Sequence, residues 1–350
     1  MSIHPKRPFL HQKSSFFALV VALVLFQISF AFAQEEHDAQ AHPKGKLKVS
    51  EVIIEHVMDN HVWHFFDGHY GTLFLPVIVY SSGHGLDVFS SRNFYDEHHN
   101  IVPYQDYRLE ENKIFLGEQQ VLDFSITKNV MMLFIDAALL LFVFGSVARA
   151  YKRNGGKAPK GLQAFIEPIV VFVKDEIVKP NIGPKYEKYL PYLLTLFFFV
   201  LFGNLLGLLP GSGNLTGNIA VTMTLAIFTF LITNFSGNKN YWLHILWTPG
   251  VPLPLRFIIF PVEVIGLFTK PFSLMIRLFA AITAGHIVLL SLICLTFIFE
   301  SWIVGFGSSI FVLFISLIEL LVAGIQAYVF TLFTSLYIGL AVEEHEEAHH

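Results

Sequence analysis

The chain has 350 residues, 54% of them hydrophobic and only 14% charged, with a mean hydropathy of +0.57. Soluble globular proteins are about 45–50% apolar and about 25% charged, so the balance indicates a membrane protein surrounded by a lipid bilayer. The formal net charge of −4 is too small to imply a strongly acidic or basic partner such as nucleic acid, and the single cysteine, Cys294, excludes an intrachain disulfide framework.

Lys6, Arg7 and Lys13 precede an apolar stretch from Phe16 to Phe32, which ends in Ala31-Phe32-Ala33. A basic start, an apolar centre and small residues at the end predict a signal peptide over 1–33; an uncleaved first spanning helix is the competing reading. Residues 34–127 turn polar, with short apolar runs such as Leu73–Tyr80 and turn signals at Ser81-Ser82-Gly83 and Ser90-Ser91. They predict a small extracytoplasmic (periplasmic) domain with some strand content. Nine histidines fall there, the pair His98-His99 included, but no HxxxH or HxH pair beside a carboxylate stands out. They read as scattered surface residues, and neither a metal nor a cofactor is assigned.

The membrane domain is predicted over 128–345, with 346–350 as a tail. Val130 to Val147 is long enough to span, and Arg149, Lys152, Arg153, Lys157 and Lys160 follow it. The positive-inside rule places that cluster in the cytoplasm and the N-terminal domain outside, the topology a signal peptide also delivers. From Leu162 to Val178, Ile166, Ile169, Val170, Val173 and Ile177 recur at helical spacing, with Glu167, Lys174 and Asp175 between them. That pattern suits a helix lying along the interface. Leu190–Leu209 and Ile219–Phe235 read as a hairpin of spans joined by Pro210-Gly211-Ser212-Gly213-Asn214, and a loop with prolines 249, 252, 254 and 261 leads onward. Two apolar segments close the chain, Phe257–Phe299 and Ile303–Val342, each about twice the ~20 residues of a perpendicular span. Re-entrant turns or steep tilt would both accommodate them; the absence of proline from their second halves favours long tilted helices. The fold class is an all-α membrane protein: one perpendicular span, an interfacial amphipathic helix, a hairpin and two long tilted helices, with the C-terminus in the cytoplasm.

Ionisable groups inside apolar helices are expensive, roughly 2.5–3.5 kcal/mol for a central arginine on insertion scales. Arg277, His286 and Glu319 stand out, with Gln326 beyond Glu319. On a straight helix Arg277 shares its face with Ala281, Ala284 and Val288 while His286 points the other way; Glu319 and Gln326 share a face. Ala280, Ala281, Ala284 and Gly285 leave one side of the helix nearly bare, which allows close approach by another helix. If the two helices run antiparallel with Gln326 level with Arg277, His286 lies roughly 13 Å and Glu319 roughly 10 Å outward from that level. An imidazole beside a carboxylate at one depth is a plausible relay for protons. The bland alternatives are a snorkelling arginine and a histidine that only packs.

Lys270-Pro271-Phe272-Ser273, Arg277-Leu278-Phe279 and Ala284-Gly285-His286 resemble the signature of the F-type ATP synthase subunit a family. Glu319, Gln326-Ala327-Tyr328-Val329-Phe330 and Glu343-Glu344-His345 resemble its last helix, and Asn204–Pro210 and Ile219–Thr222 agree more weakly. The resemblance covers 128–345. It implies a non-catalytic stator subunit of the F0 sector in a bacterial inner membrane, with the c-subunit ring, b-type peripheral stalk subunits and the whole F0F1 complex as partners. Arg277 would attract the deprotonated ring carboxylate and separate two offset proton half-channels, a task suited to arginine as the most basic side chain. His286 and Glu319 match positions of the outer half-channel, Gln326 the residue near the arginine, and Ser273 and Glu263 positions on the cytoplasmic side. The family commonly has Gly-Asn where Ala280 and Ala281 stand, and some members exchange the residue types found here at 286 and 319. The outer domain exceeds what a typical member carries. A secondary transporter would show inverted repeats, a membrane protease paired ligands or a GxSxG elbow, and an ATP site a Walker-type loop; the sequence shows none of these.

Overall fold

In the computed structural model the polar stretch folds into short antiparallel strands, and nearly everything after Lys128 is helical. The structure describes residues 59–64, 72–81, 85–96, 101–110, 112–153, 158–209, 211–246, 252–299 and 301–343. The expected signal peptide over 1–33, the tail at 346–350 and seven of the nine histidines lie outside the described residues.

Alternation organises the strand module. In β3 (Pro76–Ser81) Val77 and Val79 turn inward while Tyr80 faces out, the period-2 pattern of a half-buried strand. β3 pairs antiparallel with β4 (Gly85–Ser90), Pro76 opposite Ser90, and on its other edge with β8 (Leu122–Asp123). β5 (Tyr107–Glu110), β6 (Lys113–Leu116) and β7 (Gln119–Gln120) form a second sheet, and β1 (Val62–His64) pairs with β2 (Thr72–Phe74). Val77, Val79, Phe94, Tyr107, Leu109 and Ile114 make the core between them.

The module is fastened to the helices. Asp59 accepts hydrogen bonds from the Thr127 hydroxyl (2.7 Å) and the Asn129 backbone N–H (3.0 Å), placing a carboxylate at the positive end of the first helix. The Trp63 indole donates to the Gly211 carbonyl in the hairpin loop, and Trp63, Leu75 and Met132 pack together beneath it. Within the module, buried His61 donates from Nε2 to Asp123 Oδ2 at 2.7 Å.

Among the described residues seven longer helices follow: α1 (Lys128–Arg153), α2 (Leu162–Phe172), α3 (Tyr186–Gly207), α4 (Ile219–Ser236), α5 (Lys239–Leu246), α6 (Leu253–Phe299) and α7 (Trp302–Val342). Among the described residues, five helical stretches are long and apolar enough to cross a membrane. α2 continues through a wider turn (Val173–Val178) and a short helix (Lys179–Ile182) until Gly183, at φ +70, and Pro184 break the run and release α3 in a new direction. The proline loop expected before α6 is corrected: Pro254 and Pro261 lie within the helix, as does Pro271. A helix is the surest way to satisfy backbone groups in apolar surroundings, so the prolines are tolerated where a water-soluble chain would have ended the element. α5 was not read from the sequence.

The last helix is pinned by neutral amides. Asn238 donates from its backbone to the Ala341 carbonyl and from its side chain to that of Val342, each at 2.9 Å, satisfying the orphan carbonyls at the end of α7. Asn181 reaches Ser335 Oγ (3.1 Å), and Asn204 donates to the Ala323 carbonyl (2.9 Å). Leu274, Leu278 and Ile282 of α6 and Ala327, Phe330 and Ile338 of α7 fill the helical core.

Burial alone would raise Asp123, but hydrogen bonds from His61 and Ser125 outweigh it and hold the carboxyl below its ordinary value. A depressed folded value contributes stability that is present above the unfolded carboxylate range, near ~4, and is lost as pH falls through the folded value. Lowering the pH from ~5 to ~2 is therefore expected to lower the thermal midpoint of the detergent-solubilised chain, and Asp123→Asn to remove about 1 kcal/mol of that acid-dependent loss. Trp63 fluorescence melts across pH check it.

Candidate functional site

α6 and α7 run antiparallel against each other, and the charged residues of their apolar sequences meet across the seam. Glu319 is 4% exposed and His286 20% exposed, and the imidazole Nδ1–H donates to Glu319 Oε1. A buried carboxylate in an apolar helix needs such a partner. Gly285 makes the approach possible: a Cβ there would lie 3.1 Å from Glu319 Oε1 and 3.3 Å from its Cδ. The small residue next to His286 is thus what lets the acid lie against α6.

Arg277 lies nine residues from His286 toward the N-terminus of α6. Its guanidinium stacks over Phe333 of α7, 4.4 Å from the ring centroid, while buried Nη1 has no hydrogen-bond partner among the described residues. Lys270 lies over Tyr337 at 5.7 Å, continuing the same register. The straight-helix expectation that Arg277 and His286 point to opposite sides is corrected here, because both reach α7. A helical side chain leans toward the N-terminus of its own helix, and the long arginine stem runs that way and round onto Phe333. Counting inward from the His286–Glu319 contact, nine residues on α7 reach Tyr328, so Gln326 lies within roughly 3 Å of the depth of Arg277. The structure brings no hydrogen bond between Gln326 and the guanidinium.

Ser273 is half-buried one turn from Arg277 on the N-terminal side, and Glu263 lies nearly four turns away. Glu263 comes close to α5: after burial, its charge is the second influence that raises the Tyr241 phenol. Neither residue joins the His286–Glu319 contact. The seam therefore divides in two, with an imidazole–carboxylate pair toward the C-terminal half of α6 and Ser273 and Glu263 toward its N-terminal half. Arg277 stands between them. Beside it Ile276, Ala280 and Ala284 are exposed, an apolar face with two of its three side chains small.

Three residues near this seam were passed over in the sequence. Phe333, the seat of the guanidinium, had no signal that separates it from the other 36 phenylalanines. Asn204, buried and bonded to both Thr216 and Ala323, stood inside a quoted motif without a role. Asp136 is an acidic residue in the apolar run Val130–Val147, a signal as plain as Glu319.

Residues 130–339 match the family model described as ATP synthase A chain. The chain belongs to the F-type ATP synthase subunit a family. Residues 52–130 match a domain of unknown function, DUF8433. The protein is similar to ATP synthase subunit a of Chlorobium phaeobacteroides (strain DSM 266), 41% identical over 327 residues, which cover 91% of this chain and 83% of that one. It is similar to ATP synthase subunit a 2 of Prosthecochloris aestuarii, 40% identical over 355 residues, with 96% of each chain covered. ATP synthase subunit a 2 of Chlorobaculum tepidum is 51% identical over 235 residues, 65% of this chain and 66% of its own. With 96% of each chain covered, the alignment with the Prosthecochloris aestuarii protein extends over residues of the strand module as well as the helices.

The contact at Gly285 has a measurable consequence. Gly285→Leu is expected to lower the thermal midpoint by the 1–3 kcal/mol typical of overpacking, roughly, because the new side chain displaces the Glu319 carboxylate from His286. In a Glu319→Ala background the same substitution meets open space, so a double-mutant cycle in detergent should show a much smaller second cost.

Proposed function

We propose that this family member is the stator subunit of a rotary ATP synthase, forming two offset proton half-channels against a c-subunit ring in a complex that includes a b-type peripheral stalk. The observation that carries it is the seam of α6 and α7: a hydrogen-bonded imidazole–carboxylate pair on one side of Arg277, a serine and a carboxylate on the other. The unpartnered Nη1 of Arg277 suits a charge whose counterpart lies outside this chain, and the exposed Ile276, Ala280 and Ala284 offer a smooth face for a moving helix.

His286 and Glu319 then hold protons on the outer side, and Ser273 and Glu263 release them on the cytoplasmic side. Arg277 holds a deprotonated ring carboxylate between the two routes, so that protons cross only by turning the ring. α6 and α7 span 47 and 41 residues, roughly 70 and 60 Å, against a hydrocarbon core of ~30 Å, which requires steep tilt if both lie within it. Arg149, Lys152, Arg153, Lys160, Lys185, Lys188 and Lys239 belong to the end opposite the strand module, and their positive charge supports a module outside the cell membrane and a cytoplasmic C-terminus.

Arg277→Ala is expected to abolish ATP-driven acidification of inverted vesicles while the complex still assembles on native gels; acidification at the normal rate would sink the proposal. His286→Glu combined with Glu319→His is expected to retain more transport than either His286→Ala or Glu319→Ala alone. A double exchange that fails as badly as the two losses added together would remove the relay.

A further inference from the structure

Asp136 is fully buried, 0% exposed, in the middle of the apolar helix α1, and neither carboxylate oxygen has a hydrogen-bond partner among the described residues. Such a group is costly in a membrane-spanning helix, and a leucine at the same place would pack without that cost. Of the other buried residues of α1, Met132, Val143 and Val147 are apolar and Asn129 is a neutral amide. Packing gives no reason for an acid.

Its surroundings give one. Asp136 lies against Gly203 of α3, where a Cβ would be 3.8 Å from Oδ2 and 3.7 Å from Cγ2 of Thr216. The bare glycine thus leaves a space bordered by the carboxylate and by the methyl group of Thr216. Thr216 Oγ1 donates to Asn204 Oδ1 at 2.6 Å, and Asn204 Nδ2 donates to the Ala323 carbonyl at 2.9 Å. Ala323 is one turn of α7 from Glu319. Toward the strand module, Asn129 is seven residues from Asp136 on the same face of α1. Its buried Oδ1 also lacks a partner, as does Nδ2 of Asn214 in the hairpin loop. Buried unpaired polar atoms therefore run from the module end of α1 to Asp136, and paired ones from there to α7. Leu215 and Thr216, the other side chains that border the space at Gly203, are not ionisable.

We propose that Asp136 is a further proton-carrying residue of this membrane domain, taking protons from the strand-module side and passing them along the Thr216–Asn204 contact toward Glu319. The step is a proton transfer alone: an O–H bond forms at the Asp136 carboxylate from a proton of the outer aqueous phase. It breaks as the proton moves on to the His286–Glu319 pair, returning Asp136 to the carboxylate. Thr216 and Asn204 do not titrate; they line the way with polar atoms. The assignment rests on the proton-translocating function proposed above and extends it to α1.

The test uses the assembled F0F1 complex in inverted vesicles, with Asp136→Asn, Asp136→Leu and Asp136→Glu beside Arg277→Ala. Asp136→Asn and Asp136→Leu are expected to slow ATP-driven acidification roughly tenfold or more, toward the range a positioned proton carrier supplies. Asp136→Glu is expected to restore most of the rate. The thermal midpoint of Asp136→Leu should be unchanged or higher, since a purely structural acid would lower it when lost. Normal transport by Asp136→Leu with Arg277→Ala inactive would overturn the role of Asp136 and leave the stator function standing. Loss of assembly in Asp136→Asn and Asp136→Glu alike would also overturn it, as a structural role. Normal transport by Arg277→Ala would instead remove the function on which it rests.

Discussion

The contact between His286 and Glu319 sets the arrangement of the two longest helices, because a carboxylate in an apolar helix constrains everything packed around it. Glu319 is almost fully enclosed, so its partner must come from the facing helix, and the facing helix must be bare where the acid lies down. Gly285 supplies the bareness and His286 the donor. Once that point is fixed, antiparallel packing carries the register along the seam, and Arg277 and Lys270 come to rest on Phe333 and Tyr337. Aromatic rings suit these cations because they attract a charge without neutralising it. The arginine is held in place over a ring, with its Nη1 left without a hydrogen-bond partner among the described residues.

Neutral and ionisable polar groups divide the work. Asn181, Asn204 and Asn238 each hold the last helix at a different depth, through bonds to a hydroxyl or a backbone carbonyl. An amide brings donor and acceptor together without the desolvation penalty of a charge, so it is the economical choice for fixing helices. Ionisable residues in the same bundle are then conspicuous by their incomplete satisfaction. Glu319 has one partner, Arg277 has a ring and a free Nη1, and Asp136 has none. The series runs from a group that structure alone could explain to groups that it cannot.

Much of this was legible in the sequence, for physical reasons that differ by residue. Spans were readable because apolar length is a strong signal, and Arg277, His286 and Glu319 because charges in such runs are rare. The strand content of the outer part followed from short apolar runs such as Leu73–Tyr80 and the turn signals beside them. Helix α5 was missed because eight residues rich in aromatics and flanked by polar loops carry little periodic signal. Pro254 and Pro261 were read as loop residues by a rule that holds in water and weakens where the backbone must satisfy itself. The opposed faces of Arg277 and His286 came from a helical wheel, which places Cβ atoms and says nothing of where a long side chain ends. Asp136 was visible and unweighed, since its significance depends on Gly203 and Thr216, residues far from it in the chain.

The strand module acquires a physical relation to the seam through the same polar contacts. Asp59 grips the start of α1 and Trp63 grips the hairpin loop at Gly211, so the module holds both the helix that carries Asp136 and the loop that carries Thr216. Asn129, whose backbone N–H Asp59 holds, presents its unpaired side-chain oxygen on the next step inward. A proton route lined by sparse polar atoms tolerates little change in their spacing, because a gap of a few ångströms ends a hydrogen-bonded chain. Trp63, Leu75 and Met132, with Met131 and Leu206 packed against them, form the apolar cluster at this end among the described residues, and two of its three buried members belong to the module. Gly213 of the hairpin loop also lies directly against Asn129 and Met132 of α1. Holding the spacing of Asn129, Asp136 and Gly203 is therefore shared between the close packing of the hairpin loop on α1 and the part of the chain that never enters the helical bundle.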